Sequence, residues 1–173
     1  MPQEQNMTKQ ESAVRLAHPS GFMRILFRFP ILLYRLKLGW LFGGRMLLLE
    51  HRGRRSGLTR KVVVEVVDHD QQKDSYTVAA AWGSQSDWYK NIKAEPKVTV
   101  EVGTQRFTAL AETLSADDAA QHLNVYATKH PFAFRQLGSK LFDIESRDTA
   151  EVVKSMTEAI PFVEFTPEGG KAG

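Results

Sequence analysis

Between Met46 and Leu114 the chain packs five strand-like runs so closely that most of the connections are too short for a parallel crossover, which takes a dozen or more residues. Met46–Arg52 reads as the first strand. Arg60–Asp68 is the second, and Val62–Val67 within it is β-branched at every position except Glu65. Tyr76–Ala81, Lys97–Val102 and Gln105–Leu114 follow. The turn Gly53–Gly57, the polar loop His69–Asp74 and the pair Gly103-Thr104 are hairpin punctuation between them. Ile160–Phe165 reads as a last strand. The pairing is therefore expected to be antiparallel.

Helices flank this core. Thr8 and Glu11 have capping-box spacing, which predicts a helix over Lys9–Ala17. A second apolar helix is expected over Gly21–Phe29, broken at Pro30 and resuming to Leu38. Asp87 is expected to cap a short helix that ends before Pro96. Ser115 reads as an N-cap with Asp117 and Asp118 in the first turn, opening a helix to Lys129. Helix is also expected over Phe132–Ser155, with a break near Asp143. Five or six antiparallel strands with helices at the ends predict an α+β fold built on a small barrel. A Rossmann fold is a poor match, because there is no G-x-G-x-x-G and strands do not alternate with full-length helices. No repeat or linker divides the 173 residues. One domain is expected: helices over 1–45, the barrel core over 46–114, then helices and the last strand over 115–173.

Hydrophobic residues make up 42% and charged residues 25%, so there is enough apolar material for one core. Cysteine is absent, which removes thiolate catalysis, thiolate metal ligands and disulfides and suits a cytoplasmic protein. The 5 histidines lack zinc-site spacing, so no metal is expected. No secretory signal is read at the N-terminus. The segment Phe22–Phe42 is apolar, but Arg24, Arg28, Arg35 and Lys37 interrupt it before it reaches the ~20 residues that span a bilayer. Residues 20–45 are basic enough for peripheral contact with the inner face of a membrane, although packed helix is the commoner reading of such a segment.

The net charge of +3 hides an asymmetry. Between Ser12 and Lys61 a single acid, Glu50, faces eleven Lys and Arg residues, whereas Val62 to the C-terminus has seventeen acids against eleven bases. A basic third of this kind implies an anionic partner. The cations concentrate at Gly53-Arg54-Arg55-Ser56-Gly57 with Arg60 and Lys61. Glycines admit a close approach, turn amides can form an anion-binding nest, arginines grip phosphate in two-pronged fashion, and Ser56 adds a hydroxyl. A solvated basic turn is the plain alternative. A second group is Ala79-Ala80-Ala81-Trp82, then Asp87-Trp88-Tyr89-Lys90-Asn91. Three small residues leave room for a flat ring, and the aromatics can wall it. Against this, Trp88 and Ile92 have the spacing of a buried helix face. His51 reads as a hydrogen-bonded structural histidine before a proton donor, and His130 as helix-end chemistry before a pocket residue.

Together these residues resemble a known family. Leu47-Leu48-Leu49-Glu50-His51-Arg52-Gly53-Arg54-Arg55-Ser56-Gly57, the basic strand start at Arg60, the small strand end Ala79-Ala80-Ala81, and Trp88-Tyr89-x-Asn91-x-Lys93-Ala94-x-Pro96-x-Val98 are similar to the deazaflavin-dependent nitroreductase and quinone reductase family. The resemblance covers Met46–Glu112. It implies an FMN-binding-like split β-barrel that takes coenzyme F420 and passes hydride to a quinone, a nitroaromatic or another activated double bond. It implies that Arg54, Arg55 and Ser56, with Arg60, Lys61 and Val62, hold the phosphate and tail. Ala79, Ala80, Ala81 and Trp82 would lie along the ring, and Asp87, Trp88, Tyr89 and Asn91 would complete the cradle. Two segments differ from prototype members. The loop Gly83-Ser84-Gln85-Ser86 is shorter, and His130-Pro131-Phe132-Ala133-Phe134 stands where those members place tyrosines. No side chain is identified as catalytic, because the coenzyme carries the chemistry. Two other readings stay open: an FMN-dependent oxidoreductase on the same fold, and a non-enzymatic module for a lipid or cofactor. Nucleic acid is not expected, since exposed aromatics do not interleave with the bases. A monomer and a homodimer are equally compatible with the sequence.

Overall fold

The structure, a computed structural model, describes Tyr34 and residues 39–135 and 148–169. The helices expected before Leu38 and the break expected near Asp143 lie outside the described residues, as does most of the basic segment 20–45. Among the described residues no helix is long and apolar enough to cross a membrane.

Six antiparallel strands close into a barrel. They are β1 (Met46–Arg52), β2 (Thr59–Asp70), β3 (Ser75–Ala79), β4 (Lys97–Val102), β5 (Gln105–Thr113) and β6 (Phe162–Pro167). The order around the barrel is β1-β2-β3-β6-β5-β4. Hairpins make the β1–β2, β2–β3 and β4–β5 pairs, as the short connections require. β6 is the exception. It arrives from the C-terminal end and inserts between β3 and β5, pairing Val78 with Val163 on one side and Ala111 with Phe165 on the other.

Period-two alternation fills the interior. Leu47 and Leu49 from β1, Val64 from β2, Val78 from β3, Val98 and Val100 from β4, and Val163 and Phe165 from β6 form one buried cluster. Helix α1 (Asp87–Ala94) joins it through Trp88, Tyr89 and Ile92. The register puts the end of β1, the start of β2, the end of β3 and the start of β4 at one mouth, and α1 plugs that mouth.

A second apolar layer covers part of the outside. Helix α2 (Ala116–Lys129) presents Ala119, Leu123, Tyr126 and Ala127 on one stripe. Helix α3 (Thr149–Ala159) presents Val152, Val153 and Met156, and both pack with Phe162, Val67 and Ala79. Ser115 is the N-cap of α2: its hydroxyl oxygen accepts the Asp118 N–H at 3.1 Å.

The structure moves several boundaries. β2 continues to Asp70, because the Asp70 carboxylate itself closes the turn by accepting the Gln72 and Lys73 N–H groups at 2.8 and 3.2 Å. β3 stops at Ala79, where the Ala80 N–H turns to the Pro161 carbonyl. α3 runs past Ser155 to Ala159, so the last strand starts at Phe162. One irregularity sits inside β2. Val66 pairs with Val78 but Asp68 pairs with Thr77, a bulge that turns Val67 to the helices and brings His69 against Tyr76, rings parallel with centroids 4.1 Å apart.

Because Phe165 is fully buried on the strand that closes the barrel, Phe165→Ala should cost about 3–5 kcal/mol of unfolding free energy. Urea denaturation followed by tryptophan fluorescence would measure it.

Candidate functional site

The mouth plugged by α1 carries the basic turn. Gly53 opens it: its carbonyl accepts the Ser56 and Gly57 N–H groups at 3.2 and 2.7 Å, and its own N–H reaches the Leu58 carbonyl at 2.9 Å. Gly57 sits at φ +64°, where a side chain is strained. A Cβ on Gly53 would meet Ser56 Oγ at 2.7 Å and the Leu58 carbonyl oxygen at 3.3 Å, so a larger residue there would have to turn the Ser56 hydroxyl out of its place.

Beside the turn lies a cavity of about 570 Å³. Arg54, Arg55 and Ser56 line it from the turn, Arg60, Lys61 and Val62 from the start of β2, and Asp87, Trp88 and Asn91 from α1. Residues separated by more than thirty positions in sequence therefore meet there. The structure adds His51, which follows Leu47 and Leu49 on the inward face of β1 and lines the same cavity. That alternation was the signal that could have placed it. The other expected residues do not line this cavity. Ala79 and Ala80 pack inside the protein, and Tyr89 is buried with its hydroxyl 3.2 Å from Thr113 Oγ1. Ala81 is half-buried and Trp82 partly exposed at the exit of β3. His130, at the end of α2, lines a cavity at the opposite mouth with Arg45 and Tyr76.

The cations of the site divide into two kinds. Arg54 is committed within the protein: Nη1 and Nη2 each donate to Asp87 Oδ1 at 3.1 Å, and Nη1 also donates to Asn91 Oδ1 at 2.9 Å. Lys61 is committed to Glu50, its cross-strand partner, and Arg106 donates to both oxygens of the same carboxylate at 2.9 Å. Arg55 and Arg60 make no ion pair or side-chain hydrogen bond among the described residues. The two guanidiniums remain available to an anion.

Two expectations are corrected here. The turn amides do not form an open nest. Gly53, Ser56 and Gly57 spend theirs inside the turn, Arg54 N–H goes to Asn91 Oδ1 at 3.1 Å, and Leu58 N–H goes to Ser56 Oγ at 3.4 Å. Only the Arg55 N–H of this turn lacks a protein acceptor among the described residues. Asp87 is not the N-cap of α1 either. Ser86 holds that place, and Asp87 lies in the first turn, where its carboxylate takes Arg54.

His51 is buried, and burial pushes its pKa below the ordinary value. It faces the cavity as a neutral ring. Tyr126, the tyrosine nearest the segment that differs from prototype members, donates to Glu65 at 3.0 Å, and burial with that carboxylate pushes it up to about 12.

The family model for the F420H(2)-dependent quinone reductases matches residues 35–140, which includes every strand of the barrel but β6. The chain belongs to that family. A Mycobacterium tuberculosis protein named as an F420H(2)-dependent quinone reductase, Rv3178, is 31% identical over 77 residues, 43% of this chain and 63% of its own length. The chain thus matches less than two thirds of that relative. Among solved structures, a conserved hypothetical protein of Mycobacterium tuberculosis, Rv2991, aligns with a TM-score of 0.50 at 12% identity over 78% of this chain and 79% of that one. An F420-H2 dependent reductase aligns with a TM-score of 0.48 at 20% identity over 70% and 93%. The first of these likenesses is one of fold: the split barrel.

Arg106, and to a lesser degree Lys61, hold the Glu50 carboxyl below its ordinary value of 4.5 despite its burial. A carboxyl depressed by folding adds stability above its unfolded pKa and loses it as pH falls through the folded one. The urea midpoint should therefore drop as pH falls below 4.5, and Glu50→Gln should flatten part of that drop. Urea titrations of both proteins across that range would check it.

Proposed function

We propose that this protein is a cytoplasmic oxidoreductase that transfers hydride from reduced F420 to a quinone, a nitroaromatic or another activated double bond. The observation that carries the reading is the pair of uncommitted guanidiniums, Arg55 and Arg60, on a cavity of about 570 Å³. The donor set fits a coenzyme with a phosphodiester and an acidic tail. Arg55 and Arg60 would hold the phosphate with the Arg55 amide and the Ser56 hydroxyl. Lys61 would add its charge, in competition with Glu50. Val62 and Trp88 would supply apolar wall, and Asp87, Asn91 and Tyr89 the frame behind it. Ala81 and Trp82, with Ala79 and Ala80 as the packed floor beneath them, are the residues proposed to meet the ring.

When bound, reduced F420 supplies the hydride, and the protein orients it. The chain's own contribution is binding and charge. Basic side chains stabilise negative charge that develops on an acceptor oxygen. His51, neutral and buried, does not repel a cation or attract an anion. The acceptor's proton can come from solvent, so the proposal assigns no catalytic acid. The whole chain is proposed to act as one domain, with the helices outside the barrel as its cover.

Titration with F420 and with FMN at low salt, followed by fluorescence, tests the coenzyme. Consumption of reduced F420 in the presence of a soluble quinone tests the activity. Arg55→Ala and Arg60→Ala should each weaken F420 binding by about tenfold, equivalent to ~1.4 kcal/mol, and should reduce its salt dependence. Tight binding of FMN and not F420 would overturn the reading.

A further inference from the structure

Asn91 is buried, at 5% exposure, on the inner face of α1, and it makes three hydrogen bonds to two other elements. Its Oδ1 accepts from Arg54 N at 3.1 Å and from Arg54 Nη1 at 2.9 Å. Both of those groups can only donate, so the oxygen of the amide must be the atom on that side. The amide nitrogen therefore faces His51 Nδ1, 3.1 Å away. An amide nitrogen can only donate, so His51 Nδ1 must accept. The neutral ring then carries its proton on Nε2. One buried amide thus fixes the position of Arg54, the path of the turn and the tautomer of His51.

We infer that Asn91 is the positioning residue of the anion site: its amide takes up the backbone and side chain of Arg54, aligns His51, and leaves Arg55 and Arg60 as the cations that meet the anion. The role rests on the proposed coenzyme site for its meaning but not for its geometry. Asp87 completes the arrangement from one helical turn away. Its carboxylate neutralises the guanidinium that Asn91 orients, at 3.1 Å from both terminal nitrogens. Arg54 therefore serves as a strut between turn and helix. A strut of this kind accounts for four cations clustered in eight residues without four ligand contacts.

Two variants separate the functions of the amide. Asn91→Asp keeps an acceptor for Arg54 but offers His51 no donor. Asn91→Ala removes both. In Asn91→Asp, nitrogen-15 NMR of the imidazole should show the His51 proton on Nδ1, facing the new carboxylate. In Asn91→Ala, affinity should fall by about tenfold or more. Wild type alone supplies two further readouts, which need no variant to fold. The His51 ring should show a bare Nδ1, and inorganic pyrophosphate should shift the guanidinium signals of Arg55 and Arg60 but not those of Arg54. A protonated Nδ1 in the wild type, a response of Arg54 to pyrophosphate, or unchanged affinity in Asn91→Ala would overturn the inference. If the wild type shows the expected ring and guanidinium signals but does not bind F420, the coenzyme reading fails and the positioning role stands.

Discussion

β6 holds the barrel closed. Without it, β3 and β5 would each present an open edge, and the interior side chains of five strands would face water on one side. Its insertion sets the rest of the molecule. β5 ends at the mouth where β6 begins, with Thr113 paired to Val163, and α2 and α3 are inserted between these two neighbouring strands. Helices α2 and α3 lie over the wall and bury their apolar stripes against Val67, Ala79 and Phe162. Two cores result, one inside the sheet and one outside it, sharing the sheet as their partition.

The same topology gathers the site at one end. Turn and helix meet because the β1–β2 hairpin and the β3–β4 connection open at the same mouth. The helix that plugs the barrel also anchors the turn. One side of α1 gives Trp88 and Ile92 to the core, and Asp87 and Asn91 reach the turn. Packing energy from the interior is thereby converted into the fixed shape of an exposed polar loop, which could not hold such a shape by itself.

The elements readable in the sequence were those with local causes. The β-branched run of β2, the hairpin at Gly103-Thr104 and the Ser115 cap carry their signals within a few residues. The gathering of basic residues was legible in the same way, and so was the family, through the run from Leu47 to Gly57 and the Trp-Tyr-x-Asn segment. What escaped was nonlocal. Nothing near Arg54 says that its guanidinium is taken by residues 33 and 37 positions away. Nor can the neighbours of Gly53 show that most of the turn's amides are already used. The stop of β3 at Ala79 depends on the Pro161 carbonyl, again from the far end of the chain. A count of cations in sequence gives the charge of a site, but which cations remain free follows only from the acids that fold beside them.

The bulge in β2 has a consequence for how this strand can vary. On either side of it the alternation of inward and outward residues has opposite parity. Val62, Val64 and Val66 turn inward before it, and His69 turns inward after it, stacked on Tyr76. The two residues between them, Val67 and Asp68, both serve the outer layer, one in the apolar cluster and the other as acceptor for His122 at 2.9 Å and Lys129 at 3.2 Å. Removing one of these two residues would restore a regular ladder and leave the faces beyond it unchanged, whereas regular alternation with both kept would exchange every face beyond them. In that second case the Asp68 carboxylate would point into the barrel and the His69 imidazole out of it. The extra residue is therefore what lets one strand carry two phases of alternation, giving Val67 and Asp68 together to the outer helices while His69 still meets Tyr76.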